Sequence, residues 1–145
     1  MSLPTALELG YAGTSHKNCK GVFKSVINAA LLARRRAAGL PAVLSGEDLG
    51  NVGPISVTQD LATQAALGVT SVERNGHHYF AGLAQFPKAW QAHALAAHPD
   101  LYRRTDSGWP RLDIRAGKLA IASVHAAPFG VPGEIDLSML KRERA

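Results

Sequence analysis

The stretch GVFKSVINAALLARRRAAGLPAVLSG, residues 21–46, decides the fold, because a helical pattern in it is followed directly by a strand pattern. Apolar side chains recur every three to four residues and define one side of a helix: Val22, Phe23, Val26, Ile27, Ala30 and Leu31. The other side is polar and carries Lys24, Ser25 and Asn28. Gly39 ends the helix, and the apolar run at residues 41–45 predicts a strand buried on both faces. We expect the apolar side of the helix to face the interior.

The same alternation continues on both sides of this stretch. Residues 6–11 are apolar and precede a polar loop, which predicts a first buried strand. A second helix follows Pro54, with Gly68 as its C-terminal cap and an apolar side formed by Ile55, Leu61, Ala62 and Ala65. Residues 69–73 predict a third strand, and a third helix between Pro87 and Pro99 carries Trp90, Ala94 and Ala97. The order βαβαβα is typical of parallel strands joined by helical crossovers.

The character of the chain changes after Pro99. Residues 100–110 are polar and rich in turn-forming residues. Residues 112–114 and 119–124 then flank Ala116 and Gly117 in the way that two strands flank a hairpin turn. The pattern therefore predicts a terminal β-hairpin.

The amino-acid composition limits the classes of protein to which the chain can belong. The 145 residues are 46% hydrophobic and 19% charged, which is typical of one globular domain. No apolar run approaches the length of about 18 residues needed to cross a bilayer, and the N-terminus has no secretory signal pattern, so we predict a cytoplasmic protein. Cys19 is the only cysteine, which excludes a disulfide within the chain.

The net charge of +5 raises the question of a nucleic-acid partner. The distribution of charge disfavours it. Arg34, Arg35 and Arg36 lie where the helix ends and where cations oppose the negative end of its dipole. No aromatic side chains are interleaved with these arginines or with the basic residues of the tail, Lys141, Arg142 and Arg144. We therefore predict a solvated basic face and no nucleic-acid partner.

Polar clusters at residues 11–20, 47–51 and 73–79 each follow a predicted strand. In parallel α/β folds the loops after the strands meet on one face, and active sites are built there. The first cluster contains His16, Lys17, Cys19 and Lys20 directly before a helix, where backbone N–H groups favour a carboxylate or a phosphate. A lysine there can also act as a general base. The alternative is that both lysines are surface residues at a helix start.

The second and third clusters contain side chains of the kinds that bind metal ions. Glu47, Asp48 and Asn51 carry the oxygen donors that magnesium selects, although they could equally cap the following helix or face solvent. Glu73, His77 and His78 resemble metal ligands, but adjacent side chains on an extended segment point to opposite sides. No zinc-type spacing occurs. We interpret the remaining histidines as structural: His93, His98 and His125.

Several motifs carry a resemblance: GYAGTSHKNCKG from Gly10, SGEDLGN from Ser45, QDLATQAALG from Gln59, VERNGHHYF from Val72 and AGKLAIASVHAAPFGVPGEIDL from Ala116. In this order they resemble the last part of enolase-superfamily enzymes, close to mandelate racemase and muconate lactonizing enzyme. The resemblance implies the C-terminal portion of a (β/α)8 TIM-type barrel, with about three βα units and a terminal hairpin. Residues 1–98 would be barrel, and residues 99–145 would pack on a capping domain that this chain lacks.

The resemblance also implies a function. Family enzymes use Mg²⁺ to stabilise the intermediate formed when a base removes the proton α to a carboxylate, as racemases, cycloisomerases or dehydratases. The family's lysine would fall at Lys17, with Lys20 as the weaker match. The substrate would be a small carboxylate, held by His16, Glu47, Asp48, Asn51, Glu73 and His77. The family's three metal ligands and its second base come from strands that precede this chain, so no residue here is assigned as a metal ligand.

A piece with three strands cannot close a barrel, and its sheet edges would leave backbone groups without partners. The chain should therefore be inactive alone and should need either the missing N-terminal barrel and capping portion or self-association. Three origins remain open: a fragment of a longer reading frame, one half of a split enzyme, or a product of gene decay. The alternative function is a non-enzymatic module that binds a protein partner through its exposed edges.

Overall fold

The structure is a computed structural model, and it describes residues 2–47, 50–74, 76 and 79–134. The helices are α1 (Leu3–Glu8), α2 (Val22–Ala37), α3 (Ser56–Ala66), α4 (Lys88–Ala97) and α5 (Ala122–Ala126). The strands are β1 (Gly13–His16), β2 (Val43–Gly46), β3 (Tyr102–Arg104) and β4 (Pro110–Leu112). Two short 3₁₀ turns occur at Asn18–Lys20 and Pro128–Gly130. The chain divides into two units, Met1–Leu49 with Thr63–Arg74, and Gly50–Ala62 with Asn75–Ala145.

The first unit contains parallel strands, as the alternating pattern predicts. β1 and β2 pair in parallel, with Gly13 opposite Val43 and His16 opposite Gly46. A parallel bridge joins Gly46 to Val72 on the other side of β2. Two backbone hydrogen bonds support this bridge, Gly46 N–H to the Ser71 carbonyl and Glu73 N–H to the Gly46 carbonyl, both at 2.9 Å. The predicted third strand is thus reduced to one bridge.

The prediction of a strand at residues 6–11 is wrong, because residues 6–8 belong to α1 and residues 9–11 form no strand. The hydroxyl of Ser2 accepts a hydrogen bond from the Thr5 N–H at 3.3 Å, and Pro4 lies in the first turn. A serine cap followed by a proline in the first turn favours a helix start, and this local signal prevails over the apolar composition. The strand begins later, at Gly13.

α2 forms where the sequence predicts it, but its apolar side does not face the interior. The buried residues of the helix are Ser25 and Leu32. Phe23, by contrast, is 87% exposed. Leu32 follows Phe23 by nine residues, which places the two on opposite sides of a helix that turns about 100° per residue. The expectation for the apolar side is therefore wrong; on the polar side Lys24 is exposed as expected, whereas Ser25 is buried and its hydroxyl forms a hydrogen bond with His16.

The arginines at the end of α2 hold the connection to β2. Arg35 Nε donates to the Pro41 carbonyl at 2.8 Å, and an Arg36 guanidinium N–H donates to the Ala42 carbonyl at 3.2 Å. Gly39 is in the left-handed region with φ of 74°, which a residue without Cβ adopts at little cost. Two of the three arginines thus have a role in the fold.

The second unit contains the larger hydrophobic core. Its buried members come from α3, α4, α5, the β3–β4 pair and the loop before α4: Val57, Leu61, Leu83, Ala94, Leu101, Tyr102, Leu112 and Val124. α4 agrees with the sequence expectation, since it starts after Pro87 and ends before Pro99, and it buries Trp90 and Ala94.

A hairpin is present in this unit, but earlier in the chain than predicted. β3 and β4 pair antiparallel, with Tyr102 opposite Leu112 and Arg104 opposite Pro110, so the polar residues 105–109 form the turn. Only a single bridge, Arg115 with Lys118, forms around Ala116 and Gly117. The predicted second arm at residues 119–124 is wrong, because α5 begins within it. Asp100 fixes that helix start by accepting a hydrogen bond from the Ser123 N–H at 3.2 Å.

His98 links the end of α4 to α5. It is 3% exposed, and its Nδ1 forms a 2.9 Å hydrogen bond with the Ser123 hydroxyl. Burial lowers the pKa of His98 below its ordinary value, and the nearby charge of Asp100 opposes this effect. The folded state therefore favours the neutral ring, in agreement with a structural role.

None of the helices in the described part of the chain combines the length and the apolar character needed to cross a membrane.

The first prediction concerns Gly13. A methyl group at this position would collide with the Val43 carbonyl of the paired strand. Because neither backbone can move without breaking the β1–β2 register, we expect Gly13→Ala to lower the free energy of unfolding by about 2 kcal/mol or more in chemical denaturation. Thr14→Ala, one residue along the same strand, is the matched control and should cost less than half as much. Equal effects of the two variants would contradict the observed register.

The second prediction concerns His98. Because its pKa is lowered on folding, the unfolded chain binds the proton first as the pH falls below about 6.5, and stability is lost on the acid side. Denaturation followed from about pH 7.5 to about pH 5 should show this loss, and His98→Gln should reduce the slope. His125→Gln, at an exposed histidine, is the control and should keep the slope. An unchanged slope in His98→Gln would contradict this assignment.

Candidate functional site

Lys17 and Glu47 meet at the carboxyl ends of β1 and β2. His16 and Gly46 are paired across the two strands, and Lys17 and Glu47 are the next residues of each. The Glu47 N–H donates to the His16 carbonyl at 2.9 Å, so the two segments of the chain remain side by side past the strand ends. The Lys17 ammonium and the Glu47 carboxylate form an ion pair there. The structure thus brings together two residues that the sequence assigns to different loops.

This ion pair is partly buried, with 17% of the Lys17 side chain and 33% of the Glu47 side chain exposed. A hydrogen bond from Lys17 lowers the pKa of the Glu47 carboxyl, while burial opposes the shift and the positive charge of Lys20 adds to it. Glu47 is therefore a carboxylate at neutral pH. A charge-assisted contact of this kind fixes the orientation of both side chains at the strand ends.

His16 is the last residue of β1 and holds the end of this strand against α2. It is 2% exposed, and both ring nitrogens have partners, the Ser25 hydroxyl at Nδ1 and the Asn18 side-chain oxygen at 3.2 Å from Nε2. Because an amide oxygen only accepts, Nε2 is the donor to Asn18, and the Ser25 hydroxyl, which donates to the Gly21 carbonyl at 3.3 Å, also shares a hydrogen bond with Nδ1. The ring thus joins β1 to the first turns of α2. A substrate contact by His16 stays a prediction.

The other candidate residues lie outside this ion pair. Lys20 and Cys19 are exposed in the 3₁₀ turn before α2, and Glu73 is exposed after the bridge at Val72. Asn51 belongs to the second unit, where it lines a cavity of about 30 Å³. Such a volume holds a water molecule or two but no organic substrate. Asp48 and His77, together with His78, lie outside the residues that the structure describes.

A wider groove of about 470 Å³ lies on the second unit. It is lined by Pro99, Asp100, Asp113, Arg115, Lys118, Leu119 and Ala120. Its central carboxylate, Asp113, is already paired with Arg115 at 2.7 Å and with Arg103 at 3.3 Å. Two of the charged groups that line this groove, Asp113 and Arg115, are therefore matched to each other.

The residues around Lys17 do not fit a magnesium ion. Within the described ranges, no group of three or more histidine, cysteine, aspartate or glutamate side chains lies close enough to hold a metal. Glu47 is engaged by an ammonium group, which competes with a cation for the same oxygens. The Mg²⁺ implied by the family resemblance has no site among these side chains, and no chemical step is derived through it.

Sequence reasoning missed Ser25 and Asn18, the two partners of His16. Ser25 carries a usable signal, because it lies seven residues before Leu32 and therefore on the same side of the helix. This signal was not used, because the larger apolar residues on the opposite side of the helix were expected to be the buried ones. Asn18 lies in the loop and has no periodic signal.

No protein-family model, curated protein or solved structure matches the chain. The enolase resemblance therefore depends on the sequence motifs alone.

The third prediction concerns the ion pair. Because the pKa of Glu47 is lowered on folding, its contribution to stability is present above the ordinary glutamate pKa of about 4.5 and is lost as the pH falls through the lowered value. We expect Glu47→Gln to reduce the free energy of unfolding by less than about 1 kcal/mol at neutral pH, as for other partly exposed pairs, and by a smaller amount at about pH 3, where more of the carboxyl is protonated. The measurement is urea denaturation at both pH values.

Glu73→Gln is the matched control for this measurement, because Glu73 is exposed at the neighbouring strand end. It should leave stability unchanged at both pH values. A Glu47→Gln effect that is no smaller at low pH than at neutral pH would contradict a contribution from the charge of Glu47.

Proposed function

We propose that this chain is the C-terminal barrel portion of an enolase-superfamily enzyme and contributes Lys17 and Glu47 to a site for a small carboxylate. The observation that supports the proposal is the Lys17–Glu47 ion pair at the carboxyl ends of two parallel strands. Active sites of parallel α/β proteins are built at that end of the sheet. The motifs around both residues are the ones that resemble this family, and the reaction would be of the racemase, cycloisomerase or dehydratase type.

Lys17 has two roles in this proposal. Its ammonium group supplies a positive charge and several N–H donors, which suit a carboxylate group of the substrate. The same ammonium is a proton donor, and it becomes an acceptor only after losing a proton. A substrate carboxylate and the Glu47 carboxylate compete for the same nitrogen, so substrate binding would displace or share this ion pair.

The Lys17–Glu47 pair supplies an acid/base candidate and a carboxylate at this edge of the sheet. Abstraction of a proton α to a carboxylate also needs stabilisation of the negative charge that develops on the substrate oxygens. In the proposed enzyme that stabilisation comes from strands that precede this chain. The chain alone should therefore bind carboxylates weakly and turn none over.

The fourth prediction tests this function by deuterium exchange. In D₂O with Mg²⁺, the pure chain should not exchange the α-proton of an α-hydroxy carboxylate such as mandelate. The product of an upstream reading frame encoding the earlier strands and the capping domain should restore exchange when it is added. Lys17→Met should then lower the restored rate by about 100-fold or more, as expected for loss of an acid/base group.

Lys24→Met is the control for this assay, because Lys24 is exposed on α2, and it should keep the restored rate. Turnover by the pure chain would contradict an incomplete site. Full exchange with Lys17→Met in the assembly would exclude Lys17 as the acid/base group.

A non-enzymatic interaction module is the second candidate. The observation that favours it is the exposure of large apolar side chains on the first unit, among them Leu9 at 68%, Tyr11 at 59% and Val43 at 56%. Exposed apolar side chains are typical of surfaces that bind partners where they form a contiguous patch. The absence of any upstream coding sequence for earlier strands would favour this module over the enzyme fragment.

A further inference from the structure

One side of α2 displays a continuous apolar stripe that the fold of its own unit does not use. The apolar stripe consists of Phe23, Val26, Ile27 and Ala30, at the spacing i, i+3, i+4 and i+7. Phe23 is 87% exposed, Ile27 61% and Val26 50%. Leaving such side chains in water has a cost of about 25 cal/mol for each Å² of apolar surface. The stripe therefore has the spacing and the exposure of a surface that another helix covers.

The attachment of α2 keeps the stripe outward. The helix is held by its opposite side, where Leu32 is 1% exposed and Ser25 bonds to His16. Its end is held by Arg35 and Arg36, which donate to the carbonyls of Pro41 and Ala42. Rotating the helix to bury the stripe would break all of these contacts. The exposure is thus fixed by the packing of α2 on its own unit.

Charge defines the kind of partner. α2 contains Lys24, Arg34, Arg35 and Arg36 and no acidic residue. Arg34 follows Phe23 by eleven residues and so lies within about 20° of the line of the stripe, while Lys24 lies on its flank. Both cations are exposed. A partner that covers the stripe therefore meets positive charge at one end and along one side.

We propose that the apolar stripe binds an amphipathic helix of a different polypeptide, whose apolar residues have the same spacing and are flanked by glutamate or aspartate. Acidic flanks complement Lys24 and Arg34, whereas a second copy of α2 would bring only further cations to the contact. This interaction is independent of the proposed enzymatic function, because it uses neither Lys17 nor Glu47.

The fifth prediction tests this surface with two synthetic peptides. Each is a helix of about 18 residues with leucine at i, i+3, i+4 and i+7, and the flanking positions carry glutamate in one peptide and lysine in the other. Fluorescence anisotropy with the full chain should show that the glutamate peptide binds at least about tenfold tighter than the lysine peptide. Raising the salt from about 0.05 M to about 0.5 M should weaken its binding severalfold.

A double variant tests the position of the contact. Phe23→Ser with Ile27→Ser should weaken binding of the glutamate peptide by at least about tenfold, because both side chains are exposed and their loss removes apolar contact area. Circular dichroism should show an unchanged helix content in the variant. Tyr79→Ser removes an aromatic side chain that is 80% exposed in the second unit, and this matched control should leave peptide binding unchanged.

Three results would overturn the proposal. Equal affinity for both peptides, or no binding of the glutamate peptide, would show that charge does not select the partner. A dimer detected by light scattering and abolished by the double variant would make a second copy the occupant. The last result is that the chain sediments with vesicles of phosphatidylcholine and phosphatidylserine, that the double variant does not, and that the glutamate peptide does not compete. It would make an anionic membrane surface the occupant.

Discussion

The parallel register of β1 and β2 is the constraint on which the candidate site depends. With His16 opposite Gly46, the next residue of each strand emerges at the same edge, and this places the ammonium of Lys17 beside the carboxylate of Glu47. The bridge from Gly46 to Val72 continues the same direction, so the loop containing Glu73 leaves the sheet at that edge too. A shift of one residue would move these side chains to the other face of the sheet and separate the pair.

His16 extends this constraint into α2. Its ring shares a hydrogen bond with Ser25, which lies on the same covered side of α2 as the buried Leu32. A buried imidazole needs partners for both nitrogens, and leaving either one unmatched would cost on the order of 1 to 3 kcal/mol. The covered side of α2 is thus the one that provides a partner for the His16 ring, while the apolar stripe is exposed.

The elements most accurately predicted from the sequence are those with long periodic patterns and clear ends. α2 is bounded by Gly21 and Gly39, and α4 lies between Pro87 and Pro99, so both helices could be located before the structure was known. Their alternation with short apolar runs also predicted parallel strands, but residues 13–16, which form β1, were assigned to a polar loop. The prediction of a site at the strand ends included both Lys17 and Glu47, each as part of its own loop. No sequence pattern indicated that the two side chains would be in contact.

The wrong predictions share a physical cause. The secondary structure of a short segment depends on contacts distant in the sequence or on a single capping group. Residues 3–8 are helical because Ser2 and Pro4 start a helix, and residues 122–126 are helical because Asp100, more than twenty positions earlier, accepts a hydrogen bond from the Ser123 N–H. Periodicity locates a helix but does not tell which side the rest of the chain covers. In α2 the covered side is the one that carries Ser25, the partner of His16, and the apolar stripe faces outward. A surface of this kind is therefore visible only after the buried polar contacts are known.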